Sequence, residues 1–306
     1  MKKFILRTLS YSSVIILLLI CLEFFVFPEN KNPYSIKFKL LQEYNTEVIV
    51  GGNSHSCFGI LADSLSLTTI NIANKGRELE TDVAIIKSLE FDKYKKLKAI
   101  VIPISYYTLF SNFDSINSTF LVDQKRLYYH YYNINEYDQG AITNRLFFNS
   151  PSRELFKDSY ILPFLNKNPF SPKGWRANDN IFKADKEIIH KLKRIDLKLE
   201  DKITLNKNLE LLKTLVNKSK ENKVKLYLMI PPYSSVYFSI SKHKYNRLIL
   251  KILEDNFNSE DFILINSNTF MPTSLEYYEN SDHLNLKGAR LFTKKIDSIL
   301  KSTFNH

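Results

Sequence analysis

The stretch on which the interpretation of this chain depends lies near its N-terminus: Val48-Ile49-Val50-Gly51-Gly52-Asn53-Ser54-His55-Ser56. Its first three residues are apolar and β-branched, which is typical of a buried strand. The two glycines that follow are typical of a tight turn. The stretch therefore predicts a buried strand that stops at a turn, with Ser54 presented at the tip. A serine held there can act as a nucleophile if a base reaches its hydroxyl group.

A second polar stretch precedes the amphipathic helix that closes the chain: Ser281-Asp282-His283-Leu284-Asn285-Leu286-Lys287-Gly288-Ala289. Acyl transfer by a serine needs a base, a group that orients the base, and donors for the oxyanion. We predict that His283 is the base for Ser54 and that either Asp282 or Asn280 orients it. Neighbours in an extended turn point apart, so His55 is expected to have a helper or a structural role.

Two backbone N–H groups are candidate donors to the oxyanion, those of Ser54 and Gly76. Ser54 is expected at the start of a helix or turn, and Gly76 is a small residue after the second predicted strand. The sequence has no Cys/His cluster with the spacing of a zinc site, no GxGxxG motif and no phosphate-binding loop. We therefore expect neither a metal nor a cofactor.

The composition suits one large core, or a domain with an insertion, in 306 residues of which 44% are hydrophobic. The net charge of +11 is spread along the chain, apart from short runs such as Lys93–Lys98. Spread charge of this kind is typical of a solvated lysine-rich surface. An anionic polymer or a membrane surface also suits it, whereas we expect no nucleic-acid partner.

Residues 1–27 predict a membrane anchor. Positive residues at positions 2, 3 and 7 precede an apolar run from Val14 to Phe27 that is broken only by Glu23. Apolar residues before Val14 extend the run toward the roughly 20 residues that a bilayer requires. The exit, Phe24–Pro28, lacks the small residues of a signal-peptide cleavage site. We therefore predict an uncleaved anchor.

The positive flank predicts a single pass through the cytoplasmic membrane, with the N-terminus in the cytoplasm and the rest on the extracytoplasmic (periplasmic) side. Bulky Ile20 stands before Cys21, where lipoprotein processing would require a small residue. The second cysteine, Cys57, is expected beside Ser54, far from the anchor. No disulfide is therefore predicted.

Apolar segments beyond the anchor alternate between strand and helix patterns. Strands are predicted at 47–51, 67–71, 97–105, 223–230 and 262–266. Helices are predicted at 34–43, 78–89, 205–221, 244–257 and 286–300. This alternation predicts an α/β fold with a parallel sheet and helices on both faces. In such folds sites form at the carboxyl ends of strands.

Residues 28–45 are predicted to be a juxtamembrane linker, and residues 46–306 a single domain with an aromatic-rich insertion at 106–201. The insertion is rich in Tyr, Phe and Asn, with helical pieces expected at Arg153–Phe164 and Asp185–Lys193. Its segment Tyr128–Tyr132 forms either a carbohydrate-stacking surface or the aromatic core of the insertion.

The two polar stretches carry a family resemblance. Gly52-Asn53-Ser54-His55 resembles the first block of the SGNH/GDSL hydrolase superfamily, and residues 280–289 resemble its last block, usually Asp-x-x-His. Residues 71–76 fall where the second block supplies an oxyanion glycine. The resemblance covers roughly residues 46–105 and 205–303. It implies a three-layer α/β/α, flavodoxin-like fold and an acyl intermediate on Ser54, with His283 as the base.

With its anchor, the chain is similar to extracytoplasmic SGNH-like proteins that work beside membrane-bound O-acyltransferases, such as those of alginate acetylation and teichoic acid D-alanylation. This similarity implies transfer of an acyl group, expected to be acetyl, to a hydroxyl group of an envelope polysaccharide or to water. A membrane-bound O-acyltransferase is the partner that it implies. Two alternatives stay open: a catalytically impaired glycan-binding or assembly subunit, and a secreted carboxylesterase or lipase with an apolar acyl groove.

Three positions depart from the family pattern. Asn280 stands where the family has its acid, and Asn53 stands where the first block has aspartate. Ile104-Ser105-Tyr106 stands where the third block, Gly-x-Asn, supplies an oxyanion donor, so Ser105 is the candidate at that place. The loss of one such donor costs about 10²–10³ in rate in known enzymes.

Overall fold

The computed structural model describes residues 1–22, 32–111, 119–137, 170–176 and 201–304, together with four single positions, 157, 161, 165 and 182. The chain forms two compact units. The first comprises Met1–Ile36 and Ser118–Asn168, and the second comprises Lys37–Asn117 and Pro169–His306. Both units therefore take up parts of the predicted insertion.

The second unit is built on a parallel sheet of five strands. The strands are β1 (Val48–Val50), β2 (Thr69–Asn71), β3 (Ala99–Pro103), β4 (Lys225–Ile230) and β5 (Ile263–Asn266). All neighbouring pairs are parallel, and the order across the sheet is β2-β1-β3-β4-β5. The predicted α/β class with a parallel sheet is thus confirmed. Each strand begins one or two residues later than predicted, because the ladder starts only where a neighbouring strand offers partners, as at Val48↔Thr69 and Val48↔Ala99.

The described residues form helices before, between and after these strands. They are α1 (Lys2–Cys21), α2 (Pro33–Leu40), α3 (Ser54–Gly59), α4 (Leu79–Lys87), α5 (Tyr106–Phe110), α6 (Thr119–Tyr132), α7 (Lys202–Glu221), α8 (Ser235–Ser241), α9 (Lys244–Asn256) and α10 (Leu286–Phe304). The five predicted helices are all present, and α3 begins at Ser54, where the start of a helix or turn was expected. Helices α5, α6 and α8 were not predicted, and two of these three have seven residues or fewer, too few for a helical period to be evident.

Alternate residues of the strands pack against different helices, because successive side chains of a strand point to opposite faces. Val50, Val101 and Met229 share one core with Phe292 and Ile296 of α10. The intervening strand residues are also fully buried, for example at positions 49, 100 and 228. Burial of both faces is typical of a parallel sheet. Among the helices, α10 packs against α3, and α4 packs against α7.

The strand order creates a switch point between β1 and β3. After β1 the chain crosses to β2 on one side, and from β3 it continues to β4 on the other side. The carboxyl ends of β1 and β3 adjoin, since the N–H of Gly51 donates a hydrogen bond to Val101 O at 2.9 Å. Ligand sites in open α/β sheets form outside such a point, and Ser54 follows directly after it.

One described piece of the insertion covers the edge of the sheet. Residues 170–176 form a hairpin closed by a Phe170–Arg176 bridge, and Asn71 of β2 donates to Lys173 O at 2.8 Å. Gly174 has φ +90°, and a Cβ at this position would lie 2.1 Å from Asn71 O. The hairpin therefore protects an edge strand, and only glycine permits its close approach.

The first unit contains the apolar N-terminal helix α1 and the aromatic helix α6. With 20 residues and a mean hydropathy of 2.1, α1 is long and apolar enough to cross a membrane. In α6, Tyr128 is fully buried and packs edge-on against Tyr34, with ring centroids 5.1 Å apart. Tyr132 is buried as well, so these two rings belong to the core of the unit. The helical pieces predicted at 153–164 and 185–193 lie outside the described ranges, single positions excepted.

Candidate active site

Gly52 forms the turn that follows β1. Its φ of +100° is a conformation that L-residues with a side chain rarely adopt, and an added Cβ would lie 2.1 Å from Cδ of Pro103. Its N–H donates a hydrogen bond to Oδ1 of Asp82 at 2.8 Å. The predicted glycine turn therefore exists, and it is packed directly against the end of β3.

A buried ion pair supports this turn. Arg77 and Asp82 are in direct contact, with side chains 0% and 3% exposed. Arg77 also donates from Nη1 to Ile72 O at 2.7 Å. Burial raises the pKa of the Asp82 carboxyl group, and the Arg77 charge together with the Gly52 N–H opposes that rise. The pair joins α4, the end of β2 and the Gly52 turn in one network.

Ser54 is the first residue of α3 and is half-buried. Asn53 caps this helix by accepting a hydrogen bond from the N–H of His55 at 3.1 Å. The N–H of Ser54 lies in the first turn, where a helix leaves amide groups without an intrahelical partner. The local structure therefore presents both the hydroxyl group and the N–H of Ser54 at the switch point.

The structure brings Ser54 and His283 together across 229 positions of sequence. Oγ of Ser54 lies 2.8 Å from Nε2 of His283, a normal hydrogen-bond distance for a nucleophile and its general base. His283 reaches this position from the loop before α10, and α10 packs on α3. Packing between these two helices thus sets the distance between the two functional side chains.

Asn280 determines which nitrogen of His283 carries the proton. Its Oδ1 lies 3.1 Å from Nδ1 of His283, and it also accepts the backbone N–H groups of Asp282 and His283 at 3.1 and 3.0 Å. An atom that accepts backbone N–H groups must be the oxygen of the amide group, so Nδ1 has to donate to it. Nε2 is then the acceptor that faces Ser54, which is the state that a general base requires.

Asp282 supplies a negative charge at the same nitrogen. Its Oδ1 lies 3.1 Å from Nδ1 of His283, and its side chain is only 1% exposed. The Asn280 oxygen meets the direction of a hydrogen bond to Nδ1 as well as the distance, and the Asp282 carboxylate lies within ion-pair distance of the same nitrogen. The two residues between which the sequence left a choice therefore both adjoin His283: the amide group holds the ring, and the carboxylate adds charge.

A group of tyrosines surrounds Asp282. Tyr106 donates its hydroxyl to Oδ2 at 3.3 Å, and the rings of Tyr233 and Tyr237 stack at 4.1 Å. Burial raises the pKa of all three phenols, and the Asp282 charge adds to the rise. The phenols therefore stay protonated and the hydroxyl of Tyr106 remains a donor. Sequence reasoning missed Tyr106; its only signal was a position just after a strand.

His55 lies beside the Ser54–His283 pair. Its ring stacks on that of His283, with centroids 5.0 Å and planes 9° apart, and its Nδ1 lies 3.0 Å from Oδ1 of Asn53. The structure thus places the predicted helper residue in direct contact with the predicted base. The ring of Phe58 meets His283 edge-on at 6.0 Å.

The remaining oxyanion candidates have other contacts. Ser105 caps α5: its N–H donates to the Thr108 hydroxyl at 3.2 Å, and its own hydroxyl accepts from the Thr108 N–H at 3.3 Å. These contacts give no support to Ser105 as a donor, and its role stays a prediction. Gly76, at φ +62°, accepts a hydrogen bond from Tyr107 through its carbonyl oxygen at 3.1 Å. Its role stays a prediction too.

Asn74, which sequence reasoning did not single out, connects the loop that contains Gly76 to the turn at Gly52. The N–H of Asn74 donates to Gly52 O at 3.0 Å, and the residue is 3% exposed.

The sequence matches no protein-family model, and no curated protein matches it significantly. The chemistry of the site is therefore argued from its own geometry.

Proposed function

We propose that this chain is a membrane-anchored, SGNH-like serine acyltransferase or esterase. Its substrates would be O-acyl groups, most simply acetyl, of a cell-envelope polysaccharide, and the reaction would pass through an acyl-Ser54 intermediate. The observation that carries the proposal is the 2.8 Å contact between Ser54 Oγ and His283 Nε2, with Nδ1 of the same ring held by Asn280.

In the first half-reaction, Ser54 Oγ attacks the carbonyl carbon of the acyl donor while Nε2 of His283 takes the hydroxyl proton. Asp282, 3.1 Å from Nδ1, stabilises the imidazolium that forms. The tetrahedral intermediate then collapses, and the leaving alcohol takes the proton from Nε2. In the second half-reaction, a hydroxyl group of the acceptor or water attacks the acyl carbon, and His283 takes its proton. The bond between that carbon and Ser54 Oγ then breaks, and Oγ takes the proton from Nε2.

The sheet order supports the proposed family. The order β2-β1-β3-β4-β5 is that of flavodoxin-like sheets, whose ligands bind beside the ends of β1 and β3. Ser54 follows β1 and Tyr106 follows β3. We accordingly propose the three-layer SGNH arrangement for the second unit. We also propose that Asn280 and Asn53 are variants of the residues that the family motif has at these positions.

The N-terminal helix supports a location at the cytoplasmic membrane. In a single pass, the positive residues Lys2, Lys3 and Arg7 would stay in the cytoplasm, and the second unit would lie on the extracytoplasmic side. A polysaccharide acceptor would be reached on that side, and a membrane-bound O-acyltransferase is the partner that would deliver acyl groups there. The half-buried state of Ser54 is compatible with access of such a donor.

The test uses the full chain in detergent micelles, supplied with p-nitrophenyl acetate, and intact mass spectrometry. We expect an acetyl adduct that is absent in Ser54→Ala and forms much more slowly in His283→Ala. Ser56→Ala is the matched control, because Ser56 lies in the same helix but is fully buried; it should keep the adduct.

The proposal is wrong if the adduct survives Ser54→Ala. It is also wrong if the wild type forms no adduct, either with p-nitrophenyl acetate or with a donor presented by a membrane-bound acyltransferase. The glycan-binding or assembly role would then replace it.

A further inference from the structure

Lys37 is a buried lysine of the second unit, in the helix that follows the membrane anchor in the sequence. It belongs to α2, and its side chain is 0% exposed. Its Nζ donates to Ala73 O and to Oδ1 of Asn74, the latter at 2.6 Å, and lies 3.7 Å from Sγ of Cys57. The ring of Phe170 lies 4.6 Å from the same nitrogen.

The contacts of Lys37 lead to Ser54 by two short routes. The first passes through Asn74, whose N–H donates to Gly52 O at 3.0 Å, two residues before Ser54. The second passes through Cys57, which is buried in α3, the helix that Ser54 begins. The ammonium group of Lys37 is therefore in contact both with Asn74, which supports the Gly52 turn, and with Cys57 in the helix that Ser54 begins.

A buried ammonium group is costly to the folded state unless its partners compensate for the lost water. The hydrogen bonds of Lys37 go to a carbonyl group, an amide oxygen and a thiol, none of which carries a full negative charge as a carboxylate does. Burial, together with the charges of Arg77 and Arg176, lowers the pKa of Lys37 to about 8, and Cys57 opposes this fall. An apolar residue would fill this space without the desolvation cost of an ammonium group. The presence of the charge therefore indicates a role in the site around Ser54.

We propose that Lys37 is a positioning residue for Ser54: its ammonium group holds the Ala73–Asn74 loop, and that loop holds the Gly52 turn. The inference rests on the proposed function and extends it, because it makes the first helix after the membrane anchor part of the acylation site. Loss of the ammonium charge weakens the charge-assisted hydrogen bond to the Asn74 side chain, and the turn loses part of its support.

The proposal predicts a characteristic dependence on pH. The charged or titratable groups that face Lys37 are Cys57 from α3, Arg77 from the connection after β2, and Arg176 from the hairpin. Since the pKa of Lys37 is about 8, the ammonium group is present at pH 7 and mostly lost at pH 9.5. Acylation of Ser54 should therefore depend less on Lys37 at pH 9.5 than at pH 7, because a neutral amine donates weaker hydrogen bonds than an ammonium group.

The experiment measures the rate of Ser54 acetylation by p-nitrophenyl acetate, from intact mass, between pH 6.5 and 9.5. It compares the full-length wild type with Lys37→Met and Lys39→Met in detergent micelles. Lys39 is exposed on the same helix, so Lys39→Met should match the wild type. For Lys37→Met we expect a rate about tenfold lower at pH 7, since small misplacements of a reacting group are costly. The wild-type advantage should shrink as the pH rises to 9.5.

A second variant keeps the test decisive if Lys37→Met does not fold, which thermal unfolding would reveal. Asn74→Asp gives the ammonium group an anionic partner and should move the alkaline fall in rate to higher pH. Equal rates for Lys37→Met and wild type, a ratio that does not change with pH, or an unmoved fall in Asn74→Asp would each overturn the inference alone. An inert wild type would instead defeat the proposed function, and the inference with it.

Discussion

The amide oxygen of Asn280 lies 3.1 Å from Nδ1 of His283 and accepts the hydrogen bond of that ring. In the family that the motifs resemble, a carboxylate occupies this position. Here a neutral group fixes the tautomer, and the negative charge comes from the next residue but one, Asp282. Orientation and charge, which one acid usually combines, are thus divided between two residues.

This division predicts unequal effects of substitution at the two positions. Asp282→Asn keeps the tautomer but removes the charge that stabilises the imidazolium, so we expect a fall of about 10–10² in acylation rate, less than the roughly 10⁴ seen when the tautomer is also lost. Asn280→Ala removes the hydrogen bond that sets the tautomer, and its fall should be larger.

Asn280→Asp supplies the control, because it preserves the acceptor and adds charge at Nδ1; it should acylate at least as fast as the wild type. The measurement is the rate of acetyl-adduct formation by intact mass. An Asp282→Asn variant slower than Asn280→Ala would contradict the assignment.

Gly52 provides a test of the nucleophile turn. Gly52→Ala places a Cβ 2.1 Å from Pro103 and requires φ +100° from an L-residue with a side chain. We expect a destabilisation of at least about 2 kcal/mol and the loss of most acylation. The free energy of unfolding and the rate of adduct formation measure the two effects.

Gly59→Ala is the matched control in α3, because its Cβ would make an ordinary 3.6 Å contact with Phe292. It should leave the rate intact and change stability by less than about 1 kcal/mol. If both alanine variants behave alike, the close approach at Gly52 does not constrain the site.

The Arg77–Asp82 pair should be costly to break. Asp82→Asn removes the carboxylate charge that contacts buried Arg77, so we expect a loss of about 3–5 kcal/mol in the free energy of unfolding. Glu210→Gln removes an exposed pair with Lys213, and it should cost less than about 1 kcal/mol. Chemical denaturation of both variants measures the difference. A loss below 1 kcal/mol in Asp82→Asn would show that the turn does not depend on the pair.

Lys37 also predicts how stability changes with pH. The pKa of its side chain is about 8 in the folded protein against 10.5 as a reference for the unfolded chain. Between these values the unfolded state binds more protons, so the free energy of unfolding rises with pH in this interval. The rise attributable to Lys37 is about 3 kcal/mol between pH 8 and 10.5.

The measurement is the difference in free energy of unfolding between wild type and Lys37→Met at successive pH values. Taking the difference cancels the titration of tyrosines and other lysines that both proteins share. Lys39→Met should show the wild-type dependence. Parallel pH curves for wild type and Lys37→Met would contradict the lowered pKa.

Local sequence patterns were sufficient to predict the strands of the sheet and to single out Ser54 and His283. The β-branched runs around Ile49 and Ile100 predicted strands, because burial on both faces leaves a continuous apolar signal along the chain. Ser54 and His283 were predictable because each stands beside turn residues, just after a strand or just before a helix. The apolar helix Lys2–Cys21 was predictable in the same way, from length and composition.

Tertiary structure alone decided how these residues are supported. No pattern distinguishes Asn280 from Asp282, because both precede His283 and only the loop geometry determines which oxygen lies along the N–H direction. Tyr106, Asp82 and Lys37 lie tens to hundreds of positions from the residues that they assist. The hydrophobic periodicity of a segment indicates which of its residues are buried. It does not indicate which residues of other segments they contact, because that depends on the order in which the strands are placed in the sheet. The sequence by itself thus determined the elements and singled out Ser54 and His283; the packing of those elements determined what holds the two residues in place.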